Sequence, residues 1–453
     1  MRIDDTIAAI ATPKGTGGVA VIRISGPDAL LVADKVFNGK KKPSEAPAYF
    51  MQYGQIHHGG TPLDMGMCVS MYAPHSFTGE NVAELHTHGG ARVTESVLDA
   101  VLDAGARIAL PGEFTRRAFI NGKMDLAEAE AVGDLIHAEG DMAAKAAVNQ
   151  LKGHLSEKIN QIRDGIIDLT ARLSVAADYP EEDIDYITLS HFTEELSQIK
   201  NALESLVKSA RGGQMIREGV RCAIVGRPNT GKSSLLNAIV GSYRAIVTSA
   251  AGTTRDIVEE VVSMGGIAVK FGDTAGIREG EGEAEKVGIE MARNYVSDAD
   301  FCLVVLDSSR VEAEDEEILK FVEAKPHIVV LNKTDLKQYD GKFSSPTVSI
   351  STKTGEGLEK LEEAILNLLD SILEGDSLRR ADAVRLTNTR QRDAAQKAKE
   401  SVQMALSTIE NGFPPDLVAV DLENAAAHLG EIVGLSVSDE VISRIFEKFC
   451  LGK

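Results

Sequence analysis

The run Gly226-Arg227-Pro228-Asn229-Thr230-Gly231-Lys232-Ser233 combines the residue types that phosphate binding requires. In a Gly-x-x-x-x-Gly-Lys-Ser pattern, backbone N–H groups converge on phosphate oxygens, the lysine reaches the β/γ-phosphates and the serine hydroxyl ligates Mg²⁺. The flanks support that reading over an ordinary glycine turn. Cys222-Ala223-Ile224-Val225 before it has the look of a buried strand, and Ser234-Leu235-Leu236-Asn237-Ala238-Ile239 after it that of a helix.

Further elements follow in the order that a guanine-nucleotide site needs. Gly252-Thr253-Thr254-Arg255-Asp256 offers hydroxyls for a switch loop, with Thr254 able to reach Mg²⁺. Asp273-Thr274-Ala275-Gly276 supplies a carboxylate for the metal side and a glycine N–H for the γ-phosphate. In Asn332-Lys333-Thr334-Asp335, the Asp335 carboxylate can accept two hydrogen bonds from guanine, where adenine would leave it unpaired. Ser351-Thr352-Lys353 completes the guanine side more weakly. These motifs give an expected GTP-binding set of Asn229, Thr230, Gly231, Lys232, Ser233, Thr253, Thr254, Asp273, Thr274, Ala275, Gly276, Asn332, Lys333, Asp335, Ser351 and Lys353. One position departs from the common pattern. Ile277 stands where many GTPases carry a water-orienting glutamine, which leaves Glu279, Glu281, Glu283 and Glu285 as candidates with none preferred by count. No arginine is placed as an internal finger, so a monovalent cation near Asn229 is one way to supply positive charge.

Strands at Ala223–Val225, Ala268–Phe271, Phe301–Leu306, Ile328–Leu331 and Val348–Ile350 are expected to hold these residues, in an α/β domain over residues 216–372. Residues 1–120 mix strand candidates, Ile7–Ala11 and Val19–Ile24, with a helical stretch at Thr94–Ala104, and read as an α+β domain. Helical texture fills 121–215 and returns over 373–453, so the α/β block is expected to be inserted into one helical domain. Leu151, Leu155, Ile159, Ile162, Ile166, Leu169 and Leu173 predict one continuous amphipathic helix. A second amphipathic run, Phe192–Val207, leads to Arg211-Gly212-Gly213, which reads as a linker. The carboxylate cluster Asp178–Asp185 reads as a solvated loop, with a cation or partner site as the alternative. Histidines 57, 58, 75, 86 and 88 are close in sequence, but no third ligand is identifiable by spacing and hydrogen-bonded polar side chains are expected.

With 68 acidic against 48 basic side chains in 453 residues, the net charge of −20 excludes wholesale coating of nucleic acid, so RNA contact must be local or borrowed. The most basic stretch, Arg379, Arg380, Arg385, Arg390 and Arg392, is the candidate footprint, with a solvated helix face as the alternative. Four scattered cysteines, Cys68, Cys222, Cys302 and Cys450, suggest neither a disulfide framework nor a zinc ribbon. The acidic start Met1-Arg2-Ile3-Asp4-Asp5 does not resemble a secretory leader and no apolar run approaches a membrane span, so a cytoplasmic protein is expected.

The P-loop, Gly252–Asp256 and Asp273-Thr274-Ala275-Gly276-Ile277-Arg278 resemble the Era-like translation-factor GTPases. The stretch from Pro111 to Leu126, Pro-Gly-Glu-Phe-Thr-Arg-Arg-Ala-Phe-Ile-Asn-Gly-Lys-Met-Asp-Leu, and the terminal Phe449-Cys450-Leu451-Gly452-Lys453 narrow this. They resemble the MnmE/TrmE family of tRNA-modification GTPases across essentially the whole chain. That resemblance implies a homodimer formed through the N-terminal domain, which in the family binds a tetrahydrofolate derivative, 5-formyl- or 5,10-methylene-tetrahydrofolate. Carried over, Arg23, Glu80, Lys123 and Lys453 would lie near the folate, Ser233 and Thr254 would hold Mg²⁺, Asn229, Thr248, Ala250 and Thr253 would surround K⁺, and Ser234, Thr248 and Ser249 would join the GTP-binding set. Glu285 would position the attacking water and Cys450, otherwise readable as an inert thiol, would take a site role. The implied reaction places an aminomethyl or carboxymethylaminomethyl group on C5 of the wobble uridine of certain tRNAs. It uses K⁺-stimulated GTP hydrolysis and an FAD-containing partner, MnmG/GidA, in a heterotetramer or larger assembly. An Era-like regulatory or ribosome-assembly GTPase without modifying activity is the alternative; no KH-type Gly-x-x-Gly loop follows the G domain to support it.

Overall fold

The computed structural model describes residues 4–13, 15–178, 186–242, 259–273, 293–372, 383–450 and 452. The chain forms two units, one from Met1–Gly133, Gln150–Asp164 and Ala426–Lys453, the other from Asp134–Asn149 and Gly165–Ala425.

The first unit is built on a sheet with one face covered throughout and the other covered at one edge, by Phe114, and open towards the opposite edge. In chain order these are β1 (Ile7–Ile10), β2 (Val19–Ser25), β3 (Phe37–Gly39), β4 (Met51–His58), β5 (Thr61–Met71), β6 (Val82–His88) and β7 (Arg107–Ile108). They lie in the order β3-β4-β5-β6-β2-β1-β7, antiparallel except where β7 runs parallel to β1. Ile22, Ile24, Ile56, Cys68 and Leu85 face one way and are covered by Val32, Ala33, Val97 and Val101 of helices α1 (Ala29–Val36) and α2 (Ala91–Asp103). The period-2 alternation then sends Arg23 and Glu84 to the opposite face, where they pair in register. Helices α3 (Glu113–Ile120) and α4 (Leu126–Ile136) follow.

The next elements are α5 (Asp141–Leu151), α6 (His154–Asp178), α7 (Tyr186–Glu218), β8 (Val220–Val225) and α8 (Lys232–Ser242). Then come β9 (Glu259–Met264), β10 (Ile267–Asp273), β11 (Phe301–Asp307), α9 (Ala313–Val322), β12 (His327–Asn332), β13 (Thr347–Ser349) and α10 (Leu358–Ile372). The chain ends with α11 (Thr389–Glu410), α12 (Pro415–Val433) and α13 (Asp439–Phe446). The second sheet has the order β13-β12-β11-β8-β10-β9 and is parallel except for the β9–β10 hairpin. Its central strands read as continuous apolar runs because both faces are covered. Ile224, Phe271, Leu303, Val305 and Val330 share one core with Leu235 and Ile239 of α8 and Leu361 and Ile365 of α10. Ala223, Val225, Val304 and Leu306 share another with Val322 of α9. Helix α11 packs along α7, so segments on either side of the α/β block meet. The chain is thus a multidomain α/β and all-α protein with an α+β N-terminal part and a P-loop α/β block set between helical segments.

Two expectations are corrected. The stripe from Leu151 to Leu173 does not lie on one helix. Leu151 ends α5, Gly153 turns with φ +84°, and α6 starts at His154 with Leu155, Ile159, Ile162, Ile166, Leu169 and Leu173 buried. Periodicity carries across a left-handed glycine because the next helix resumes the same apolar spacing. Nor is Arg211-Gly212-Gly213 a linker, since it lies inside α7. At Gly213 a Cβ would stand 2.0 Å from the Leu386 carbonyl oxygen, so the missing side chain is what lets the segment before α11 approach the helix. Of the acidic cluster, residues 179–185 lie outside the described residues, as do Arg379 and Arg380 of the basic stretch. Arg385 is only 7% exposed, which removes it from both the footprint and the solvated-face reading.

Glycine to alanine inside a helix normally stabilises by about 1 kcal/mol. At Gly213 the sign should invert: Gly213→Ala has to displace a backbone carbonyl, and a loss of about 1–3 kcal/mol is expected in urea titration. An unchanged or raised midpoint would contradict the close approach.

Candidate functional sites

In the second unit, β8 delivers the P-loop and α8 begins at its Lys232. Gly231 has φ +99°, and a Cβ there would sit 2.2 Å from Nδ2 of Asn332, so no other residue fits. Asn332 ends β12, is 1% exposed, and uses both ends of its amide. Its Nδ2 donates to the Thr230 carbonyl at 2.9 Å, and its Oδ1 accepts from the Thr352 N–H at 3.1 Å. Lys333 donates through Nζ to the Asn229 carbonyl and to Oδ2 of Asp307, each at 2.7 Å. Asn229 and Lys333 both have φ of 64°, in the left-handed region that non-glycine residues rarely adopt. Strain of this kind gathers where binding needs an unusual backbone; here the two strained residues hold each other.

The Lys232 ammonium donates to the carbonyls of Gly226 at 3.0 Å and Arg227 at 2.8 Å, and Thr230 Oγ1 donates to Arg227 at 2.9 Å. On the base side, Ser351 Oγ donates to Oδ1 of Asp335 at 2.8 Å, which orients the carboxylate of an otherwise exposed residue. Thr334 Oγ1 donates to the Ile350 carbonyl at 2.9 Å and ties the two loops together. Asp273 closes β10, where its backbone pairs in register with Ile224, two residues before Gly226. The expected residues Asn229, Thr230, Gly231, Lys232, Ser233, Ser234, Asn332, Lys333, Asp335, Ser351 and Lys353 thus belong to one loop cluster at one end of the parallel sheet. Thr248, Ser249, Ala250, Thr253, Thr254, Thr274, Ala275, Gly276, Ile277 and Glu285 lie outside the described residues.

The first unit holds a second cluster. Arg23 donates through Nε to Glu84 at 2.8 Å, and its guanidinium lies 5.4 Å from the Phe77 ring centroid and 5.7 Å from that of Phe114. Such cation–π contacts fix a cation's direction while leaving edges for a ligand. Glu80 accepts from Ser25 Oγ at 2.7 Å and from Nη1 of Arg117 at 3.1 Å. Lys123 lies against Gly79, where a Cβ would be 3.2 Å from its Cγ. The tail reaches the same sheet: Gly452 lies on β1, with a Cβ position 2.2 Å from the Ile10 carbonyl, and the Cys450 carbonyl accepts from the Gly112 N–H at 3.4 Å. Ile10 pairs with Ile22, the neighbour of Arg23. Cys450 is exposed; Lys453 lies outside the described residues. Among the described residues no group of three His, Cys, Asp or Glu is placed to hold a metal. Of the clustered histidines, His88 bonds Asp64 at 2.7 Å and His58 pairs with Asp103 at 3.0 Å.

The sequence motifs do not indicate the half-buried ion network that joins Glu80, in which Arg117 and Glu113 are buried and Asp5 and Arg107 are about a third exposed. Arg117, 3% exposed, donates to Asp5 at 2.6 Å and to Glu113 at 3.1 Å, while Arg107 spans the same two carboxylates at 2.8 and 2.7 Å. The i,i+4 spacing of Glu113 and Arg117 is the local signal for it; Asp5 is about a hundred residues away and has none. The Arg107 hydrogen bond, aided by Arg117, holds the Asp5 carboxyl below its ordinary 3.8. Burial would raise Glu113, but hydrogen bonds from Arg107, the Leu110 N–H and Arg117 outweigh it and hold the carboxyl below 4.5.

Both carboxyls are depressed in the folded state, so their stabilisation is complete above about pH 4.5 and lost as pH falls through the lowered values. The stability gap between the native protein and Glu113→Gln should therefore be constant from pH 7 to 5 and shrink below 4.5 in thermal melts. A gap that does not change with pH would show that the network is not ionised.

The protein family described as GTP-binding protein TrmE N-terminus matches residues 6–123, and the MnmE helical domain matches residues 126–450. Over 458 residues the chain is 43% identical to a tRNA modification GTPase MnmE of Listeria welshimeri, covering 99% of each. It is 42% identical over 463 residues to the tRNA modification GTPase MnmE of Acetivibrio thermocellus, covering 100% of both. With both unit cores, the P-loop cluster and the tail-bearing sheet inside that full-length match, the chain belongs to the MnmE family of tRNA modification GTPases.

Proposed function

We propose that this protein hydrolyses GTP to drive installation of an aminomethyl or carboxymethylaminomethyl group at C5 of the wobble uridine of certain tRNAs. The observation that carries the guanine-nucleotide half is the Asn332 clasp, which joins a phosphate-type loop to the loop that orients Asp335. Ser351 takes one lone pair of Oδ1 of Asp335, which leaves the second lone pair and Oδ2 for the two guanine N–H groups, and a base lacking those donors leaves Oδ2 unpaired. Lys232 serves the β/γ-phosphates, and Ser233, with Thr254, would hold Mg²⁺, which would supply positive charge to the phosphate oxygens. The Asn229 backbone carbonyl already receives Lys333, so its side-chain oxygen is the group assigned to K⁺, together with Thr248, Ala250 and Thr253. Arg227 is tied to Glu312 and Asp315, which fits a site that takes its extra positive charge from a cation rather than from an internal arginine. Glu285 is assigned to the attacking water.

The tetrahydrofolate derivative, as carrier of the one-carbon unit, is assigned to the open face of the first sheet at Arg23, Glu80, Lys123 and Lys453, with Cys450 beside it. The cation–π-held Arg23 and the exposed Lys123 suit a polyanionic glutamate tail, and the seat of Gly452 on β1 brings the chain terminus to the same strands. The homodimer is assigned to the N-terminal sheet, where Tyr49, Phe50, Met51, Tyr53, Met65 and Met67 are 38–66% exposed. An FAD-containing partner of the MnmG/GidA type and tRNA complete the proposed assembly, in the cytoplasm. Among the described residues no helix is long and apolar enough to cross a membrane. The segments 1–120, 121–215, 216–372 and 373–453 are kept as the proposed domain division.

Nucleoside mass spectrometry of tRNA from cells lacking the protein should show loss of the C5-substituted wobble uridine, restored by the intact gene; an unaltered profile refutes the modification role. Asp335→Asn should weaken GTP and favour xanthine nucleotides in equilibrium binding by about 100-fold or more. Retained guanine preference would remove Asp335 from the base site.

A further inference from the structure

The second residue of the P-loop is held by its side chain more firmly than phosphate contact requires. Arg227 donates through Nε to Oδ1 of Asp315 at 2.8 Å, through Nη1 to Oε2 of Glu312 at 2.6 Å, and through Nη2 to the Arg310 carbonyl at 2.8 Å. Asp315 is fully buried and its other oxygen accepts the Glu312 N–H at 3.0 Å. The side chain of Arg227 is 14% exposed. All three nitrogens of a planar fork are thus fixed by the segment that joins β11 to α9 and by the first turn of α9, a geometry a flexible ammonium could not reproduce. The backbone of the same residue carries the acceptor shared by the Lys232 ammonium and the Thr230 hydroxyl. The side chain therefore sets the place from which Lys232 is launched toward phosphate.

We propose that Arg227, clasped by Asp315 and Glu312, is a positioning residue for GTP hydrolysis: it fixes the loop carbonyl that aligns Lys232. The proposal rests on the assignment of Lys232 to the β/γ-phosphates. A lysine that meets charge developing on the bridging oxygen contributes more to the transition state than to the bound nucleotide. Misplacement should accordingly appear in kcat and spare KM.

Steady-state hydrolysis by the full chain in KCl tests this with Arg227→Gln, Arg227→Lys, Asp315→Asn, the Gln/Asn double variant, Glu312→Gln and Lys232→Ala. Arg227→Gln is expected to lower kcat about 10- to 100-fold with KM within about threefold, and Arg227→Lys, which keeps the charge but not the fork, to recover part of the loss. The double variant should be no worse than Arg227→Gln alone, because the pair acts as one unit. Unchanged kcat in folded Arg227→Gln, a loss confined to KM, or additive single effects would each overturn the proposal. If Arg227→Gln does not fold, Glu312→Gln decides, since Glu312 is 30% exposed and its loss leaves the Asp315 bond in place. A lowered kcat supports the clasp and an unchanged one overturns it. Lys232→Ala separates the two layers. Wild-type turnover in that variant would fail the lysine assignment itself, whereas loss of turnover in it beside full turnover in Arg227→Gln would fail the clasp alone.

Discussion

A loop that presents its backbone N–H groups to a polyanion has to be held by something other than those N–H groups. The P-loop of this protein is held through its carbonyls and one side chain. Gly226 and Arg227 receive Lys232, Arg227 also receives Thr230, Asn229 receives Lys333, and Thr230 receives Asn332. Arg227 fastens the loop sideways. Lys232 and Thr230 close the loop on itself, Asn332 and Lys333 reach it from the end of β12 and the turn after it, and the partners of the Arg227 side chain lie between β11 and the first turn of α9, so the parallel order β12-β11-β8 is what makes the loop possible. Ligand sites at the carboxyl ends of parallel strands follow from the same arrangement.

The first unit meets a comparable constraint with buried charge. Two arginines and three carboxylates converge beneath the open sheet face, and a buried ion is tolerable only with its hydrogen-bonding capacity met. Arg117 meets it by reaching Asp5, Glu80 and Glu113 at once. The orientation of Glu80 is thereby set by Arg117 on one side and Ser25 on the other, the kind of support that the role proposed for Glu80 would need.

The loops proposed for phosphate and base, and the strands that carry them, were legible because they are written in contiguous runs. A P-loop and an Asn-Lys-x-Asp tetrapeptide keep their spacing in any fold, and the strands that carry them are plain apolar runs, found at Val220–Val225, Phe301–Asp307 and His327–Asn332. What pairs at a distance was not legible. Asp5, just before β1, meets Arg107 on the neighbouring β7 and Arg117 on α3, and Arg227 meets Asp315 in the first turn of α9. Glycines misled in both directions, because their meaning depends on what stands opposite. Gly213 looked like a joint and is a packing surface, whereas Gly153 was passed over inside an apolar rhythm and is the true break. Arg385 looked like part of a basic face and is buried, since its position just before α11 matters more than its charge.

Asn332 has a wider consequence. One planar amide, only 1% exposed, has its two ends on two different loops, and a planar group cannot turn at one end without turning at the other. The loop that would read the base and the loop that would cradle phosphate are therefore parts of a single lever. A nucleotide whose base seats badly would arrive with its phosphates out of register, so discrimination in such a site is exercised through alignment as well as through occupancy.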